Sequence, residues 1–320
     1  MRYIVTLILM CVIAQIASAQ QPFRQLEEEI LVLETPTGDI YGSMITPPGD
    51  SCNTIALLIA DTGPTDRNGN QQIERNNSLR LLSYDLAKEN IATLRYDKRG
   101  VGASRAATPA TDDSGVDIYV DDVTRWTNLL HRYRNYKNIV LIGHGEGSHL
   151  AMLAINRGAR ATHFISVAGG GRKSSQILKD MFTTKSPQVR DVAYAIIDSL
   201  SKGYQVANVP FYLNSMFNPN MQPLLRSMMN FNPQSEIRKI EIPILVVQGD
   251  ADTRVKIEDA RLLHAANPDS QLVIIAAMNH IMKECNSLSV SEQILSNVNP
   301  ALPIDPMLIQ TIVKFLNGKL

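Results

Sequence analysis

The sequence feature that most constrains the fold is a series of short, continuous apolar runs separated by helical patterns. Apolar runs without polar alternation are typical of strands covered on both faces, as in a parallel sheet. The runs are 55–59, 91–96, 139–142, 164–167, 244–247 and 272–275. The intervening helical patterns are 78–89, 116–133, 148–157, 257–266 and 307–316. This alternation predicts an α/β protein with a mostly parallel, doubly wound sheet.

Two further intervals complete the predicted architecture. Residues 31–35 and 40–46 predict an antiparallel hairpin at the sheet edge. Residues 170–238 separate two predicted strands by about seventy residues, whereas an ordinary crossover needs far fewer. We therefore predict a core formed by residues 20–169 and 239–320, with residues 170–238 as an inserted helical cap.

The predicted cap is rich in methionine and aromatic residues. They are Met181, Met216, Met221, Met228, Met229, Phe211, Tyr212, Phe217 and Phe231. Flexible methionines and aromatic rings suit the lining of an adaptable apolar pocket. Packing of the cap onto the sheet explains the same composition equally well, so the sequence leaves both interpretations open.

The N-terminal segment has the pattern of a signal peptide. Arg2 precedes an apolar run at 4–13, and the sequence ASA at 17–19 matches an A-x-A cleavage site. We expect removal of residues 1–19 and export of the mature chain to the periplasm or beyond the cell. The apolar run is short for a membrane span, which disfavours the alternative of an uncleaved anchor.

The charge balance narrows the class of partner. The chain has 31 basic and 31 acidic residues with no long run of either sign, so it lacks the charged patch typical of proteins that bind nucleic acid or an anionic membrane. The histidines and cysteines show no metal-ligand spacing, and we expect neither a metal nor another cofactor. The expected partner is a small molecule. The oligomeric state is not fixed by the sequence.

The two cysteines of the predicted mature chain are not expected to pair. Cys52 precedes a predicted strand, whereas Cys285 follows the loop after a strand's carboxyl end. They should therefore lie at opposite ends of a parallel sheet, farther apart than a disulfide allows.

Segment 140–148 reads VLIGHGEGS and predicts a strand, a tight turn and the start of a helix. With serine in place of Gly145 it would contain G-x-S-x-G, the nucleophile elbow, in which a sharp turn exposes a serine hydroxyl. The glycines on either side allow the close approach of neighbouring backbone in such a turn. Gly145 therefore occupies the nucleophile position without supplying a nucleophile.

Other segments carry a related pattern in a consistent order along the chain. They are GPTDRNGN at 63–70, YDKRGVGAS at 96–104, the cap segments 217–223 and 232–233, VVQGDAD at 246–252, and NH at 279–280. Together with the elbow, they resemble the α/β-hydrolase superfamily, and more narrowly the exported bacterial carboxylesterases related to serine aminopeptidase-like hydrolases. The resemblance implies the α/β-hydrolase fold and hydrolysis of a small carboxylic ester through an acyl-enzyme.

The resemblance also implies an acid and a base. Asp252 is the expected triad acid and His280 the expected base, in the chain order of the superfamily. Asp250 is left as an alternative acid, with a turn-capping role as its other interpretation. His144, beside the elbow glycine, is expected to be structural.

The expected oxyanion donors are backbone amides. They are the amide of Glu146 and one from Thr62 or Gly63, because amides aimed at a tetrahedral oxygen stabilise its charge. Asp66, Arg67 and Asn68 are expected to hold the loop that carries the second donor. A solvated polar turn is the alternative interpretation, above all for Asn68.

Gly145 leaves three hypotheses. Loss of the serine from such a triad costs about a millionfold in turnover, and neither Ser148 nor Ser104 lies at an elbow. The first hypothesis is a non-catalytic protein that binds an acyl ligand. The second is a weak hydrolase in which His280, oriented by Asp252, activates water. The third is an active esterase whose natural residue at this position is serine.

The sequence also yields an expectation for Gly145→Ser. If the base and the oxyanion donors are already in place, the restored hydroxyl should raise ester hydrolysis by about a thousandfold. Glycine should at the same time make the fold more stable than serine, because the elbow has unusual backbone angles.

Overall fold

An eight-stranded sheet runs through the part of the chain that the computed structural model describes, which is residues 26, 28–49, 51–108, 115–133, 136–285 and 289–320. The strands are β1 (Glu28–Leu33), β2 (Ile40–Ile45), β3 (Thr54–Ile59), β4 (Ala92–Tyr96), β5 (Asn138–His144), β6 (His163–Val167), β7 (Ile244–Gly249) and β8 (Gln271–Ile275). Their spatial order is β1-β2-β4-β3-β5-β6-β7-β8. The predicted edge hairpin is confirmed, since β1 pairs with β2 and β2 with β4 in antiparallel register, and the other strands are parallel.

Helices connect the strands and cover the sheet. They are α1 (Ser78–Lys88), α2 (Val116–Tyr133), α3 (Glu146–Asn156), α4 (Ser174–Phe182), α5 (Pro187–Ser201), α6 (Asn214–Phe217), α7 (Gln222–Asn230), α8 (Pro233–Ile237), α9 (Ile257–Ala266), α10 (Val290–Asn297) and α11 (Pro306–Leu316). Gly102–Ser104 and Phe211–Leu213 form short 3₁₀ turns. The predicted α/β fold with a mostly parallel sheet is therefore confirmed.

Burial on both faces explains why the strands read as continuous apolar runs. In β3, Leu57 and Ile59 pack into one core cluster with residues of α2, α3 and α9, whereas Ala56 and Leu58 pack into a second cluster with residues of α1 and α11. Successive side chains of a strand point to opposite faces, so both sets must be apolar when helices cover both sides.

The interval between β6 and β7 contains α4 to α8. Their apolar residues form a separate cluster that includes Phe182, Phe217 and Met229, whereas Met228 and Phe231 join the core cluster of the sheet. Phe211 is 94% exposed. Packing therefore accounts for several of the residues that suggested a pocket lining, and the division into core and cap remains a prediction.

Cys52 and Cys285 are both thiols in the structure. No helix among the described residues has the length and apolar character needed to cross a membrane. The predicted signal peptide at 1–19 lies outside the described residues.

The parallel strands place four loops at one edge of the sheet. β3, β5, β7 and β8 all end there, and the loops that follow them carry Asp61, Gly145, Asp252 and His280. In open α/β sheets, ligands bind at the carboxyl ends of the strands, which makes this edge the candidate functional site.

Candidate active site at the carboxyl edge of the sheet

Gly145 forms a sharp turn between β5 and α3. Its φ is 54° and its ψ is −117°, a conformation that glycine adopts at little steric cost. The Gly145 amide donates a hydrogen bond to the Val167 carbonyl at 2.9 Å. A Cβ atom at Gly147 would overlap the carbonyl oxygen of Ile59. The local geometry is therefore that of the strand-turn-helix elbow expected from the sequence.

Asp252 and His280 lie in direct contact. The Nδ1 atom of His280 is 2.8 Å from Oδ2 of Asp252, and both side chains are buried. Asp250, the alternative acid, instead accepts a hydrogen bond from the Ala277 amide at 2.6 Å. The structure thus pairs Asp252 with the histidine and gives Asp250 a loop contact, while their catalytic roles remain predictions.

Further donors fix the orientation of Asp252. Oδ1 accepts hydrogen bonds from the amides of Arg254 at 2.7 Å and Val255 at 2.9 Å. Oδ2 accepts a third from Nε2 of Gln248, a buried residue at the end of β7, at 2.9 Å. Gln248 was not among the residues predicted from the sequence, because its contact depends on how the loop after β7 folds back over the strand.

Asp61 occupies the space beside Gly145. A Cβ atom built on Gly145 would overlap Oδ1 of Asp61. The same Oδ1 accepts a hydrogen bond from the Glu146 amide at 2.9 Å, and Oδ2 lies 3.0 Å from Nε2 of His280. The carboxylate therefore contacts both the predicted oxyanion donor and the predicted base.

This contact corrects two expectations from the sequence. One was that the position beside Gly145 is vacant, and the other was that the Glu146 amide is free to donate to an oxyanion. The site next to Gly145 is filled by Asp61, and the Glu146 amide already has an acceptor. A serine Cβ at this position would overlap the Asp61 carboxylate, which must shift before the hydroxyl can reach His280 or an oxyanion can reach the Glu146 amide. The physical reason is tertiary: Asp61 belongs to the loop after β3, the strand that pairs with β5.

The contacts between His280 and the two aspartates set their charge states. Burial by itself lowers the pKa of His280, but the charges and hydrogen bonds of Asp252 and Asp61 outweigh burial and raise that pKa to about 10. Burial favours the neutral acid in Asp61, but the hydrogen bond and charge of His280, assisted by His144 and the Glu146 amide, bring the Asp61 pKa well below its usual range. At neutral pH the group is an imidazolium between two carboxylates.

His144 contacts the backbone of the loop that carries His280. Its Nε2 lies 2.7 Å from the carbonyl oxygen of His280, and the two rings have centroids 5.0 Å apart. Burial lowers the pKa of His144 to about 4, so the ring is neutral at pH 7 and donates from Nε2 to that carbonyl. The expected structural role of His144 agrees with this contact.

An ion pair and several hydrogen bonds hold the loop that carries Asp61. The Nζ of Lys98 donates to the carbonyl oxygen of Asp61. Arg67 donates from its amide and its Nη2 to Asp97, at 2.8 Å and 2.7 Å, and Asp66 accepts the amides of two loop residues. Asp61 therefore sits on an anchored backbone, and the assignment of Asp66 and Arg67 to loop anchoring fits these contacts.

The second predicted oxyanion donor, the amide of Thr62 or Gly63, lies in a turn in which the carbonyls of these two residues accept hydrogen bonds. The Thr62 carbonyl accepts hydrogen bonds from Oγ1 of Thr65 at 3.0 Å and Nε2 of Gln71 at 2.8 Å. Gly63 has a φ of 81°, and its carbonyl accepts the Thr65 amide at 2.8 Å. These contacts order the turn, and a donor role for the amide of Thr62 or Gly63 remains a prediction.

Neither of the two serines considered as replacements reaches this site. Ser148 Oγ is buried against Ser166 Oγ at 2.7 Å. Ser104 Oγ accepts the Tyr41 amide at 2.9 Å. Both hydroxyls thus have structural partners elsewhere.

A cleft opens next to Asp61. Its lining includes Asp61, Gln71, Glu74, His144, Arg254 and Ile281. The side chain of Asp61 is 16% exposed and that of His280 is 6% exposed. The carboxylate is thus the more accessible member of the pair.

Sequence reasoning missed Asp61 as a functional candidate. The available indication was a pair of observations: a glycine where a side chain is needed, and an acidic residue directly after the neighbouring parallel strand. Carboxyl ends of adjacent parallel strands meet at one edge, so this pair could have been connected. The link between Asp61 and Gly145 was missed because the two residues are far apart in the sequence.

Comparisons with known proteins place the chain in a family. It is similar in fold to an esterase of Pyrococcus furiosus, Pf2001, with 15% identity, a TM-score of 0.58, and coverage of 92% of this chain and 93% of the other. It is also similar to Est1E of Butyrivibrio proteoclasticus, whose structure has ferulic acid bound, with 13% identity, a TM-score of 0.60, and coverage of 90% and 98%. No curated protein sequence matches the chain. The sequence model described as serine aminopeptidase, S33, matches residues 73–285, about two thirds of the chain, and this protein therefore belongs to that α/β-hydrolase family.

Proposed function

We propose that this protein is a carboxylesterase-type member of its family that binds small acyl compounds and does not hydrolyse esters through a serine. The observation that carries the proposal is the Asp61 carboxylate, which lies beside Gly145 and accepts the Glu146 amide. Serine acylation needs both a hydroxyl at residue 145 and a free amide for the oxyanion. Neither requirement is met.

The position of Asp61 beside Gly145 and His280 argues against the two catalytic hypotheses. Activation of water by His280 requires a neutral imidazole, but Asp252 and Asp61 raise its pKa to about 10. An esterase with a natural serine at residue 145 would need Asp61 to lie elsewhere, because the two side chains overlap. Both observations favour the binding hypothesis.

The expected ligands are small acyl compounds. Esterases are among the proteins of similar fold, and one of them has ferulic acid bound. In this chain, an acyl group must compete with Asp61 for the Glu146 amide. We therefore expect weak binding to the natural protein and tighter binding when the competing carboxylate is removed.

Ester hydrolysis tests the loss of serine chemistry. With p-nitrophenyl acetate and butyrate, the natural protein and Gly145→Ser should both hydrolyse at the uncatalysed rate. The double variant Asp61→Gly/Gly145→Ser should be faster by about a thousandfold, because it removes the overlap and frees the donor. A natural protein as active as the double variant would contradict the proposal.

Ligand-induced stabilisation tests binding. Asp61→Gly should gain a larger rise in melting temperature from acetate or butyrate than the natural protein, because a bound carboxylate can accept the Glu146 amide and pair with His280. Asp191→Gly, at an exposed position of α5, is the matched control and should show no such gain. The absence of stabilisation by any acyl compound in either Asp61 form would count against a binding function.

A further inference from the structure

Helix α10 presents apolar side chains to solvent and polar side chains to the protein, which is the reverse of an ordinary surface helix. The apolar residues are between 44% and 74% exposed, and they are Val290, Ile294, Leu295 and Val298, the last directly after the helix. The buried residues of α10 are Gln293 and Ser296, at 8% and 6% exposed. The four apolar side chains form a patch on the order of a few hundred Å², a size at which an exposed apolar surface marks an interaction site.

Polar contacts on the inner side fix this orientation of α10. The Nε2 atom of Gln293 donates to the carbonyl oxygen of Ala251 at 3.0 Å. The Oγ atom of Ser296 accepts a hydrogen bond from Nδ2 of Asn279 at 2.8 Å. Rotation of the helix to bury its apolar side would break both of these buried hydrogen bonds. The loops that follow β7 and β8 therefore hold the apolar side of α10 toward solvent.

The exposed apolar residues have the spacing of a helix pair that is complementary to itself. Val290 and Val298 lie four residues before and after Ile294, and each is therefore about 40° around the helix from it. If two copies of α10 pack antiparallel about a two-fold axis at Ile294, Val290 of one copy meets Val298 of the other. Symmetric dimers use one surface patch in this reciprocal way. We propose that the outward side of α10 is the contact surface of a symmetric dimer of this chain, centred on Ile294.

The charges of this segment favour a second copy over a lipid surface. Residues 289–302 contain one charged side chain, Glu292, and no lysine or arginine. Helices that lie on membranes carry Lys and Arg on their polar side, and anionic lipid repels an acidic residue. Glu292 lies about 160° around the helix from Ile294, outside the contact between the two copies. The contact is therefore uncharged and has no like-charge repulsion when it meets itself.

The size of the apolar patch sets the expected strength of the dimer. A stable interface buries about 800 Å² per partner, which is more than four aliphatic side chains on one short helix provide. Polar residues beside α10 supply the rim of the interface. We expect weak association, with a dissociation constant in the micromolar range. The dimer does not depend on acyl binding at Asp61, and its loss would leave that proposal unchanged.

Sedimentation velocity from about 1 µM to about 100 µM tests the proposal, because a small interface dissociates on dilution. The natural protein should shift from monomer to dimer over this range. Ile294→Lys should remain a monomer, because two lysines would be buried against each other at the axis. Ile30→Lys is the matched control, since Ile30 is 56% exposed and Ile294 is 55% exposed, and β1 lies at the opposite edge of the sheet from β8. This variant should dimerise like the natural protein.

A disulfide at the axis tests the arrangement of the two helices. In a Cys52→Ser background, mild oxidation of Ile294→Cys should give a covalent dimer, because a residue at a two-fold axis faces its own copy. Glu292→Cys, at an exposed position on the other side of α10, should not give one. Cys285 is buried and is the same in both variants.

Three results would overturn the proposal. The first is a natural protein that is monomeric at about 100 µM, or a dimer that the folded Ile294→Lys variant retains. The second is the absence of the disulfide in Ile294→Cys when the protein is dimeric. The third is binding of a monomeric natural protein to phosphatidylcholine vesicles that Ile294→Lys abolishes, which would assign the apolar side of α10 to lipid.

Discussion

At the scale of single residues, the site is governed by one imidazole ring and the two carboxylates that contact it. Asp252 binds Nδ1 of His280, and Asp61 faces Nε2. In a serine hydrolase the second nitrogen faces a neutral hydroxyl. Replacing that neutral group by an anion that also accepts a hydrogen bond raises the pKa of His280, so the ring is a cation at neutral pH.

The titration of His280 predicts how the stability of the fold changes with pH. Its folded pKa is raised to about 10, above an unfolded value of about 6.5. Its contribution to stability is therefore complete below about pH 6.5 and is lost as the pH rises toward 10. Asp61, with a lowered pKa, contributes in the opposite direction: its stabilisation is present above about pH 4 and is lost as the pH falls through its folded pKa.

Asp61→Asn should lower the pKa of His280, because one of the two anionic partners is gone. The loss of stability on raising the pH should then be complete at a lower pH than in the natural protein. NMR titration of the His280 ring and urea unfolding at several pH values measure the two effects. Unchanged titration of His280 in Asp61→Asn would show that Asp61 does not carry the charge interaction described here.

At the scale of elements, the junction between β5 and α3 depends on the neighbouring strand β3. The glycine at this junction has a positive φ, and the space next to it is taken by the residue that follows β3. A side chain at residue 145 therefore meets two separate penalties, one from backbone conformation and one from overlap with Asp61.

Gly145→Ala should separate these penalties. Positive φ costs a non-glycine residue about 1 to 3 kcal/mol, and overlap with a packed group adds to that. Gly158→Ala is the matched control, because Gly158 has a φ of 94° and open space around its Cβ position. Denaturant unfolding should show a larger loss of stability for Gly145→Ala than for Gly158→Ala. In an Asp61→Gly background, Gly145→Ala and Gly158→Ala should cost the same stability, because the overlap is gone. Equal losses in the natural background would mean that the overlap is relieved at no cost.

At the scale of the whole molecule, the sheet joins residues that are far apart in sequence at one edge. The Asp61 and His280 side chains meet across 219 positions of the chain. The strand order places β3 and β5 next to each other, and β7 and β8 on the far side of β6. The site therefore exists only when the sheet is assembled.

Export is the prediction that belongs to the whole chain. The pattern at residues 1–19 leads us to expect a mature protein that begins at Gln20 and is found in the periplasm or outside the cell. N-terminal sequencing of the protein produced in its own host measures this directly. A membrane-retained product that begins at Met1 would contradict it.

The sequence by itself determined the α/β class, the edge hairpin and the elbow. These rest on local patterns: apolar runs that are buried on both faces of a sheet, and glycines at a crowded turn. The contact of Asp252 with His280 also agrees with the pairing that the family resemblance implied. Each of these features depends on residue type and spacing along a short segment or on an ordered set of motifs.

Only the tertiary structure decided what fills the space at Gly145. The contact between Asp61 and residue 145 depends on strand adjacency, because the two residues follow different strands that are separated by β4 in sequence and are neighbours only in the sheet. The charge state of His280 likewise depends on two anions that the fold brings within 3.0 Å. Electrostatic interactions depend on distance in space and on burial, and the folded chain alone sets both.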